Sequence, residues 1–328
     1  ALLAAVLVPG IGREILGARR AIYVPGLAFG FQPSEIAKVV LVIWTAALLS
    51  RPASRVPAEP RIRTIDLPLK LRHAPPPVVP ERQQGTTTFE DVDRVDPRDF
   101  WRSFVPVLAT GLPVIGLTAI EDFGTAALMG VILFIMLFAA GARLLYLGAM
   151  MMLGVLGAIG LVIVEPYRMA RIATFLNDAP DPQGAGYQIN QAMLAIGSGG
   201  WWGRGLGNGV QKFGYLPQDN NDFILAIICE ELGVAGGIFV AVMFLLLLFR
   251  GWRLAASASD RFGRLLALGL TLTICLQAAF NIGVVTDSVP TKGISLPFVS
   301  AGGSGVVFLG AAVGLLASVG RRHSYAQP

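Results

Sequence analysis

The sequence predicts an all-α, polytopic integral membrane protein. Charged residues make up 14% of the 328 residues, whereas soluble proteins carry roughly 25%. Hydrophobic residues reach 54% and the mean hydropathy is +0.64, so the interior and much of the surface must both be apolar. Seven apolar runs are long enough, or nearly so, to cross the hydrocarbon core of a bilayer as helices. These observations exclude a soluble enzyme.

The predicted membrane spans extend along most of the chain, which we expect to form a single transmembrane domain, 1–328. They cover residues 34–50, 104–120, 124–140, 144–164, 223–249, 265–285 and 298–320. The opening run 1–9 is too short to cross a bilayer alone, because a span needs about 20 residues. We interpret it as the end of a span that begins outside this sequence, and expect the chain to be an N-terminally truncated part of a longer bundle.

The distribution of Lys and Arg predicts the orientation of the spans. Connections on one side carry 17 of these residues and connections on the other side carry 8. The richer side is expected to face the cytoplasm. The short connection 250–264, with Arg250, Arg253, Arg261 and Arg264, is the firmest evidence, since long loops have little weight in this rule.

Two long loops lie on opposite sides in this topology. The stretch 51–102 is mixed in charge and rich in proline, which predicts a flexible cytoplasmic loop. The stretch 165–222 is the predicted large exterior loop, in which we expect segments that face substrate. It contains GYQINQAMLAIGSGGWWGRGLGNG at 186–209, where an amphipathic helical segment precedes a glycine-rich one. Trp201 and Trp202 are expected to anchor this segment at the membrane surface.

Several familiar kinds of site are missing from the sequence. It has no HExxH, GxSxG or GxxxxGK[ST] motif, and its two histidines, His73 and His323, fall in polar segments predicted to be cytoplasmic. Cys229 and Cys275 lie in apolar spans without metal-ligand spacing, so we expect buried free thiols. The basic residues form no stripe with interleaved aromatic side chains, which argues against a nucleic-acid partner.

Ionisable residues within or beside the spans are candidate functional residues, because charges are costly in an apolar environment. Glu35 and Lys38 share one helix face. They form either a structural ion pair or part of a polar cavity that contacts substrate. Glu121 and Asp122 lie between two spans, where they either cap the following helix and complement its dipole or face a site.

Further acidic residues lie near the start of the span that follows the exterior loop. Glu230 and Glu231 are two helical turns into it, where packing and catalysis are equally plausible roles. Asp222 is the last exterior residue before the apolar run. Partial desolvation and the neighbouring Asp219 would raise the pKa of Asp222 toward the range of a general base. The alternative role for Asp222 is a helix N-cap.

Six ordered blocks resemble the SEDS family (shape, elongation, division and sporulation proteins), which includes FtsW, RodA and SpoVE. The blocks are Gly12 with GARR at 17–20, FQPSEIAK at 31–38, DFGTA at 122–126, the 186–209 segment, DFILAIICEELG at 222–233 and NIGVVTDSVPTKGISLPFVSAGGS at 281–304. These blocks extend over nearly the whole chain outside residues 51–100. Within the last block, PTKG with LPF at 290–298 is more similar to FtsW than to RodA. Family members have ten membrane helices, so the resemblance implies that about eight are present here.

The resemblance implies a peptidoglycan glycosyltransferase that polymerises lipid II at the outer face of the bacterial cytoplasmic membrane. The implied partners are lipid II, lipid-linked glycan, a class B penicillin-binding protein and other proteins of division or elongation complexes. The family's essential aspartate falls on Asp222, the implied general base. Asn220 and Asn221 replace the His-Thr that often precedes this aspartate, which puts fine substrate contacts in doubt more than the reaction class.

The resemblance also implies substrate-binding residues. The family's QPSE and Lys positions fall on Gln32, Ser34, Glu35 and Lys38, and its D-F-G-T aspartate falls on Asp122.

The pyrophosphate leaving group of a lipid-linked donor requires charge neutralisation. A divalent cation, Mg²⁺ or Mn²⁺, is expected to supply it together with Arg20, Lys38 or Lys212. Two alternatives come from other functional classes. A lipid II flippase would use Glu35, Lys38 and Glu230 as a polar path across the bilayer. A non-catalytic scaffold would recruit the penicillin-binding protein without any chemistry at Asp222.

Overall fold

The computed structural model describes residues 2–6, 12–15, 18–23, 30–51, 99–165, 185–212, 221–290 and 293–325, together with 169, 171, 173, 175 and 216. Within these residues the regular secondary structure is helical apart from one small sheet. The helices are α1 (Leu2–Val6), α2 (Pro33–Leu49), α3 (Val105–Glu121), α4 (Phe123–Ala140), α5 (Leu144–Val164), α6 (Ala185–Gly199), α7 (Ile224–Ser257), α8 (Arg261–Val285) and α9 (Gly303–Tyr325). The predicted 51–102 loop falls almost entirely outside the described residues.

Five of the described helices are long and apolar enough to cross a membrane. They are α4, α5, α7, α8 and the part of α9 that covers Gly303–Arg321. Helix α3 is apolar but shorter, with 17 residues. Helix α6 coincides with the amphipathic segment of the predicted exterior loop. The predicted all-α, multi-pass architecture is therefore confirmed.

A small antiparallel sheet, which hydropathy does not predict, precedes α2. Strand β1 (Gly12–Ile15) pairs with β2 (Ala18–Tyr23), and β2 pairs with β3 (Gly30–Phe31). Strand β3 is followed almost at once by Pro33, the first residue of α2. Proline suits this position because its fixed φ is already helical and its missing N–H would have no helical partner. The sheet thus fixes where the FQPSEIAK segment enters its helix.

Several helix boundaries differ from the predicted spans, and two of the differences have a clear local cause. Helix α7 runs to Ser257 rather than to 249, because its Arg-containing last turns continue the helix beyond the apolar run. Helix α9 begins at Gly303 rather than at 298. Phe298 has a φ of 62°, which a helix cannot accommodate, so residues 293–302 form a loop between α8 and α9.

The core of the bundle is built around α8, which packs against α2, α4, α7 and α9. Val42 of α2, Met136 of α4 and Ile274 of α8 belong to the same buried cluster. Helix α5 lies at the periphery and exposes most of its apolar side chains, as a lipid-facing helix requires. Cys229 and Cys275 are buried free thiols, as predicted.

Helix α7 is interrupted at Gly233, whose φ of 76° and ψ of 179° are not helical. The interruption leaves main-chain groups of α7 without helical partners. The glycine-rich loop after α6 supplies replacements: the amide of Gly205 donates to the carbonyl of Glu231 at 3.0 Å, and the amide of Val234 donates to the carbonyl of Gly200 at 2.8 Å. The 199–212 loop is therefore joined to α7 through backbone hydrogen bonds, consistent with the ordered segment predicted there.

Gly203 and Gly233 allow this backbone contact because neither has a side chain. Both adopt positive φ, at 79° and 76°. A Cβ atom on Gly203 would overlap the carbonyl of Glu231, and one on Gly233 would overlap the carbonyl of Trp201. Any larger residue would therefore force the loop away from the helix.

We predict that Gly233→Ala lowers the thermal stability of the detergent-solubilised protein. A residue with a Cβ in this backbone conformation costs about 1–3 kcal/mol, and the overlap with the Trp201 carbonyl adds to that cost. The measurement is Tm by intrinsic fluorescence. Gly310→Ala in α9 is the matched control, because no heavy atom lies within 4 Å of the added methyl group. Equal Tm values for the two variants would contradict the view that position 233 must lack a Cβ atom for the loop to contact α7.

Candidate active site

Asp222 lies at the end of the bundle where α2, α4 and α7 begin, α8 ends and α9 starts. We call this end the Asp222 rim. Asp222 belongs to the turn 221–223 before α7, and its side chain is partly exposed. The N-cap position of α7 is Phe223, one residue further on. Asp219, the neighbour expected to raise the pKa of Asp222, lies outside the described residues.

The carbonyl of Asp222 is held by an amide side chain from the last turns of α8. Asn281 Nδ2 donates to this carbonyl at 2.7 Å and to the carbonyl of Ile294 at 2.7 Å. Asn281 is only 1% exposed. The turn that carries Asp222 is therefore joined to the 293–302 loop through one buried side chain.

A second hydrogen bond fixes the same turn. The Ser300 hydroxyl donates to the carbonyl of Asn221, the residue before Asp222. It also accepts from the amide of Leu296 at 2.7 Å. Two successive carbonyls, 221 and 222, are thus bound by side chains from α8 and from the loop that follows it.

Lys38 and Glu35 form a buried ion pair on α2. Lys38 Nζ lies 2.8 Å from Glu35 Oε1 and 2.6 Å from Gln277 Oε1. The exposed fractions of Lys38, Glu35 and Gln277 are 2%, 6% and 1%. Gln277 in turn donates to the carbonyl of Ser295 at 3.0 Å. Paired charges inside the bundle match the structural alternative considered for these residues, and contact with substrate stays a prediction.

Asp122 caps α4. Its Oδ1 accepts from the amide of Thr125 at 3.1 Å and its Oδ2 accepts from the Thr125 hydroxyl at 2.7 Å. Asp122 is 7% exposed. A Cβ atom on Gly124 would lie 3.1 Å from Ile294, so the start of α4 packs tightly against the 293–302 loop. Of the two roles considered for Asp122, capping the following helix or facing a site, its contacts match helix capping.

The other predicted substrate residues lie around the start of α2. Gln32 is partly exposed and its carbonyl accepts from the amide of Glu35 at 3.1 Å. Ser34 is 1% exposed, and among the described residues neither its Oγ nor Glu35 Oε2 has a hydrogen-bond partner. Arg20 lies in β2, and its side chain is outside the described part of the chain.

Glu230 and Glu231 bind the glycine-rich loop rather than a cavity. Glu230 accepts from the amides of Val210 at 2.9 Å and Gln211 at 3.2 Å. Glu231 accepts from Lys212 Nζ at 2.7 Å. These contacts support the packing role considered for the two glutamates. They also place Lys212, a candidate for binding pyrophosphate, in an ion pair on the 199–212 loop.

Sequence reasoning missed the uncharged members of this arrangement, Gln277, Asn281 and Ser300. Inside an apolar helix, a single Gln or Asn does not stand out by charge or motif. A usable signal exists, because Gln277 and Asn281 are four residues apart and must lie on one face of α8. Two amide side chains at this spacing in a buried helix indicate a shared polar partner.

The described residues offer little for a metal ion by themselves. No group of three or more His, Cys, Asp or Glu side chains among them is placed to bind one. Mg²⁺ commonly uses one or two carboxylates together with substrate phosphates and water. A cation held mainly by a substrate pyrophosphate would need few protein side chains, so the described residues are compatible with that mode of binding.

Comparison with known proteins identifies relatives along the whole chain. The family model for FtsW, RodA and SpoVE, described as "Cell cycle protein", matches residues 1–325. A probable peptidoglycan glycosyltransferase FtsW of Geobacter sp. (strain M18) is 39% identical over 322 residues, which cover 98% of this chain and 76% of that protein. Stage V sporulation protein E of Bacillus subtilis (strain 168) is 37% identical over 325 residues, covering 99% of this chain and 77% of that one.

Solved structures agree with the sequence comparisons. A chain from a structure described as "Structural coordination of polymerization and crosslinking by a peptidoglycan synthase complex" matches with a TM-score of 0.67 and 28% identity, covering 100% of this chain and 79% of that chain. The rod shape determining protein RodA of Thermus thermophilus matches with a TM-score of 0.58 and 26% identity, covering 98% and 75%.

We predict that Glu230→Gln destabilises the protein more than Glu231→Gln. The Glu230 side chain is 1% exposed and that of Glu231 is 14% exposed. A glutamine at 230 would place a buried N–H₂ group against the backbone N–H of Val210 or Gln211, which is also a donor. An unsatisfied buried donor costs about 1–3 kcal/mol, whereas water can reach position 231. The measurement is the Tm of both variants by thermal unfolding. A decrease in Tm for Glu231→Gln that equals or exceeds the decrease for Glu230→Gln would contradict the prediction.

Proposed function

The chain belongs to the FtsW, RodA and SpoVE family, and on that premise we propose that it polymerises lipid II into glycan strands with Asp222 as the general base. It is a multi-pass membrane protein and a peptidoglycan glycosyltransferase, as expected from its resemblance to this family. The proposal concerns the substrate, the residue that acts on it and the face of the membrane where it acts.

The observation that carries the proposal is the position of Asp222. Residue 222 is partly exposed and its main chain is held by Asn281, at the point where an apolar helix begins. A general base must reach the proton it removes while its geometry is fixed by the surrounding structure. The acidic residues Glu35, Glu121, Asp122 and Glu230 at the same rim are all buried, which makes each of them a weaker candidate.

In the proposed reaction, Asp222 accepts the proton of the C4 hydroxyl of the acceptor N-acetylglucosamine. The hydroxyl oxygen attacks the anomeric carbon of the lipid-linked donor from the side opposite its pyrophosphate. The bond between that carbon and the pyrophosphate oxygen breaks, the electron pair leaves with undecaprenyl pyrophosphate, and the configuration inverts. Because pyrophosphate is a good leaving group, one carboxylate base is sufficient.

The leaving group still needs positive charge nearby. Lys38 is buried and paired, and Lys212 already pairs with Glu231, so neither is free to supply that charge without rearrangement. The side chain of Arg20 lies outside the described residues, so its contribution stays a prediction. A divalent cation, Mg²⁺ or Mn²⁺, is the proposed further source, and oxygens of the substrate pyrophosphate would hold it. When bound, it would neutralise the charge that develops on the pyrophosphate.

The Asp222 rim is proposed to face the exterior. The Arg-containing connection 250–264 joins the opposite ends of α7 and α8, and positively charged short connections favour the cytoplasm. The polyprenyl tails of both substrates can then stay in the bilayer while their sugars reach Asp222. A class B penicillin-binding protein is the proposed partner, in keeping with the peptidoglycan synthase complex among the structural relatives.

The flippase alternative receives no specific support from the described contacts. Its candidate residues Glu35, Lys38 and Glu230 all lie near the Asp222 rim, so they do not form a path from one side to the other. Glu230 is also fully engaged with the 199–212 loop. A scaffold without catalysis would not require a partly exposed carboxylate held at a rim.

We predict that Asp222→Asn abolishes glycan synthesis from lipid II by the purified full-length protein with its partner. The amide keeps the shape of the side chain but cannot accept the C4 proton, and losing a general base typically costs about 10²- to 10⁴-fold in rate. Glycan products are measured by gel electrophoresis of labelled lipid II.

Asp260→Asn is the matched control for this change. Asp260 caps α8 at the opposite end of the bundle by accepting from the amide of Gly263 at 2.8 Å, and asparagine caps helices about as well. This variant should retain full activity. Full activity of Asp222→Asn would refute the assignment of the base, and its lipid II translocation in liposomes would then favour the flippase.

We predict that chelation of divalent cations stops polymerisation and that Mg²⁺ or Mn²⁺ restores it. The charge on the leaving pyrophosphate would otherwise be left without a mobile cation to neutralise it. Thermal unfolding should be insensitive to the chelator, since no cluster of metal-binding side chains occurs in the described residues. Polymerisation at an undiminished rate in excess chelator would contradict the proposed cation.

A further inference from the structure

Two amide side chains on α8 bind neighbouring carbonyls of the 293–302 loop. Gln277 Nε2 donates to the carbonyl of Ser295 at 3.0 Å, and Asn281 Nδ2 donates to the carbonyl of Ile294 at 2.7 Å. The two residues are one helical turn apart and both are 1% exposed. Each also has a second partner on a different helix or turn, so the pair connects three parts of the rim.

The chemistry of these partners fixes how each amide is oriented. Asn281 Nδ2 faces two carbonyls, those of Asp222 and Ile294. Carbonyls only accept, so the nitrogen must occupy this position. Gln277 Oε1 faces the Lys38 ammonium, which only donates, and its nitrogen faces the Ser295 carbonyl. Neither side chain can flip without placing like groups against each other.

The result is a continuous chain of hydrogen bonds from α2 to Asp222. It passes from the Glu35–Lys38 ion pair to Gln277, across the 294–295 backbone to Asn281, and ends on the carbonyl of Asp222. Every side chain along this route is buried. A buried ion pair is an anchor that resists displacement, because separating its charges in an apolar interior is costly.

The loop that links the two amides is itself held in place. Ile294 is 4% exposed and packs against the start of α4 at Gly124. Leu296 is 1% exposed, and its amide donates to Ser300. The loop is therefore a fixed support against which α8 can set the position of the 221–223 turn.

We propose that Gln277 and Asn281 are positioning residues for Asp222. They form an amide ladder, defined as these two residues and the two carbonyls 294 and 295, that ties the catalytic turn to the ion pair on α2. The ladder does not touch substrate. It holds the carboxylate of Asp222 at the place where the acceptor hydroxyl arrives, and this role rests on the general-base function proposed above.

The isosteric substitution Asn281→Asp tests the ladder most sharply. This substitution replaces the side-chain nitrogen by an oxygen of similar size, so the packing around residue 281 is retained. Both donated hydrogen bonds are lost, because the carbonyls of Asp222 and Ile294 then face a carboxylate instead of an N–H₂ group. We expect kcat for glycan synthesis to fall by about ten- to a hundredfold, the scale of a misplaced reacting group, with KM for lipid II nearly unchanged. Asp260→Asn, at the opposite end of the bundle, exchanges the same two side-chain groups in reverse at a helix cap and should behave as wild type.

A second variant tests the far end of the ladder. Gln277→Met keeps the length of the side chain but removes its bonds to Lys38 and Ser295. We expect kcat to fall by less than in Asn281→Asp, because the bond from Asn281 to Asp222 remains. Membrane yield, monodispersity in detergent and Tm are recorded for every variant. If Asn281→Asp fails these tests of folding, Asn281→Ser, which keeps one donor, replaces it in the kinetic comparison.

The outcomes separate this proposal from the proposed function. A folded Asn281→Asp protein with wild-type kcat, tested beside an inactive Asp222→Asn protein, would overturn the ladder and leave the general base intact. A raised KM with unchanged kcat would also overturn it, since that result indicates substrate contact. Activity in Asp222→Asn would instead remove the function on which the ladder depends. A lowered kcat at constant KM, larger for Asn281→Asp than for Gln277→Met, supports the proposal.

Discussion

Where the backbone of a membrane bundle departs from regular helix, its N–H and C=O groups must find hydrogen-bond partners within the protein, because the hydrocarbon core offers none. The Asp222 rim meets this requirement twice. Glu230 and Glu231 accept amides of the 199–212 loop where α7 is interrupted at Gly233. Asn281 and its neighbours bind carbonyls of the 221–223 turn and the 293–302 loop. Irregular backbone is thereby held rigidly at the end of an apolar bundle.

This constraint is relevant to the proposed role of Asp222, a single carboxylate that would act on substrates whose lipid chains stay in the bilayer. The sugars can approach only at a membrane surface, so the base must be at a rim. Loops at a rim are ordinarily mobile, and a mobile base loses the benefit of fixed geometry. At Asp222 the side chain remains partly exposed while its carbonyl and the preceding one are bound. Access and rigidity are combined because these hydrogen bonds hold the main chain of the turn, while residue 222 stays partly exposed.

Hydropathy and charge predicted the helices well, because each span is a long apolar run that only a helix can satisfy in lipid. The position of Asp222 also followed from sequence, since it directly precedes such a run. The interruption of α7 at Gly233 could not be predicted from the sequence, because a glycine within an apolar helix gives no sign of the loop packed against it. The strands 12–23 are too short and too polar for hydropathy to detect. The roles of Lys38 and Gln277 depended on a contact across 239 residues, which local pattern cannot reveal.

Asp222 is the group proposed to receive the proton of the acceptor sugar, and every other proposed role at the rim depends on it. The most direct measurement is a structure of the Asp222→Asn protein in nanodiscs with lipid II bound, determined by cryo-electron microscopy. We expect the C4 hydroxyl of N-acetylglucosamine within about 3 Å of the side chain at position 222, the reach of a general base, with the polyprenyl chain between the helices. A bound sugar with no hydroxyl within hydrogen-bond reach of that side chain would contradict the account.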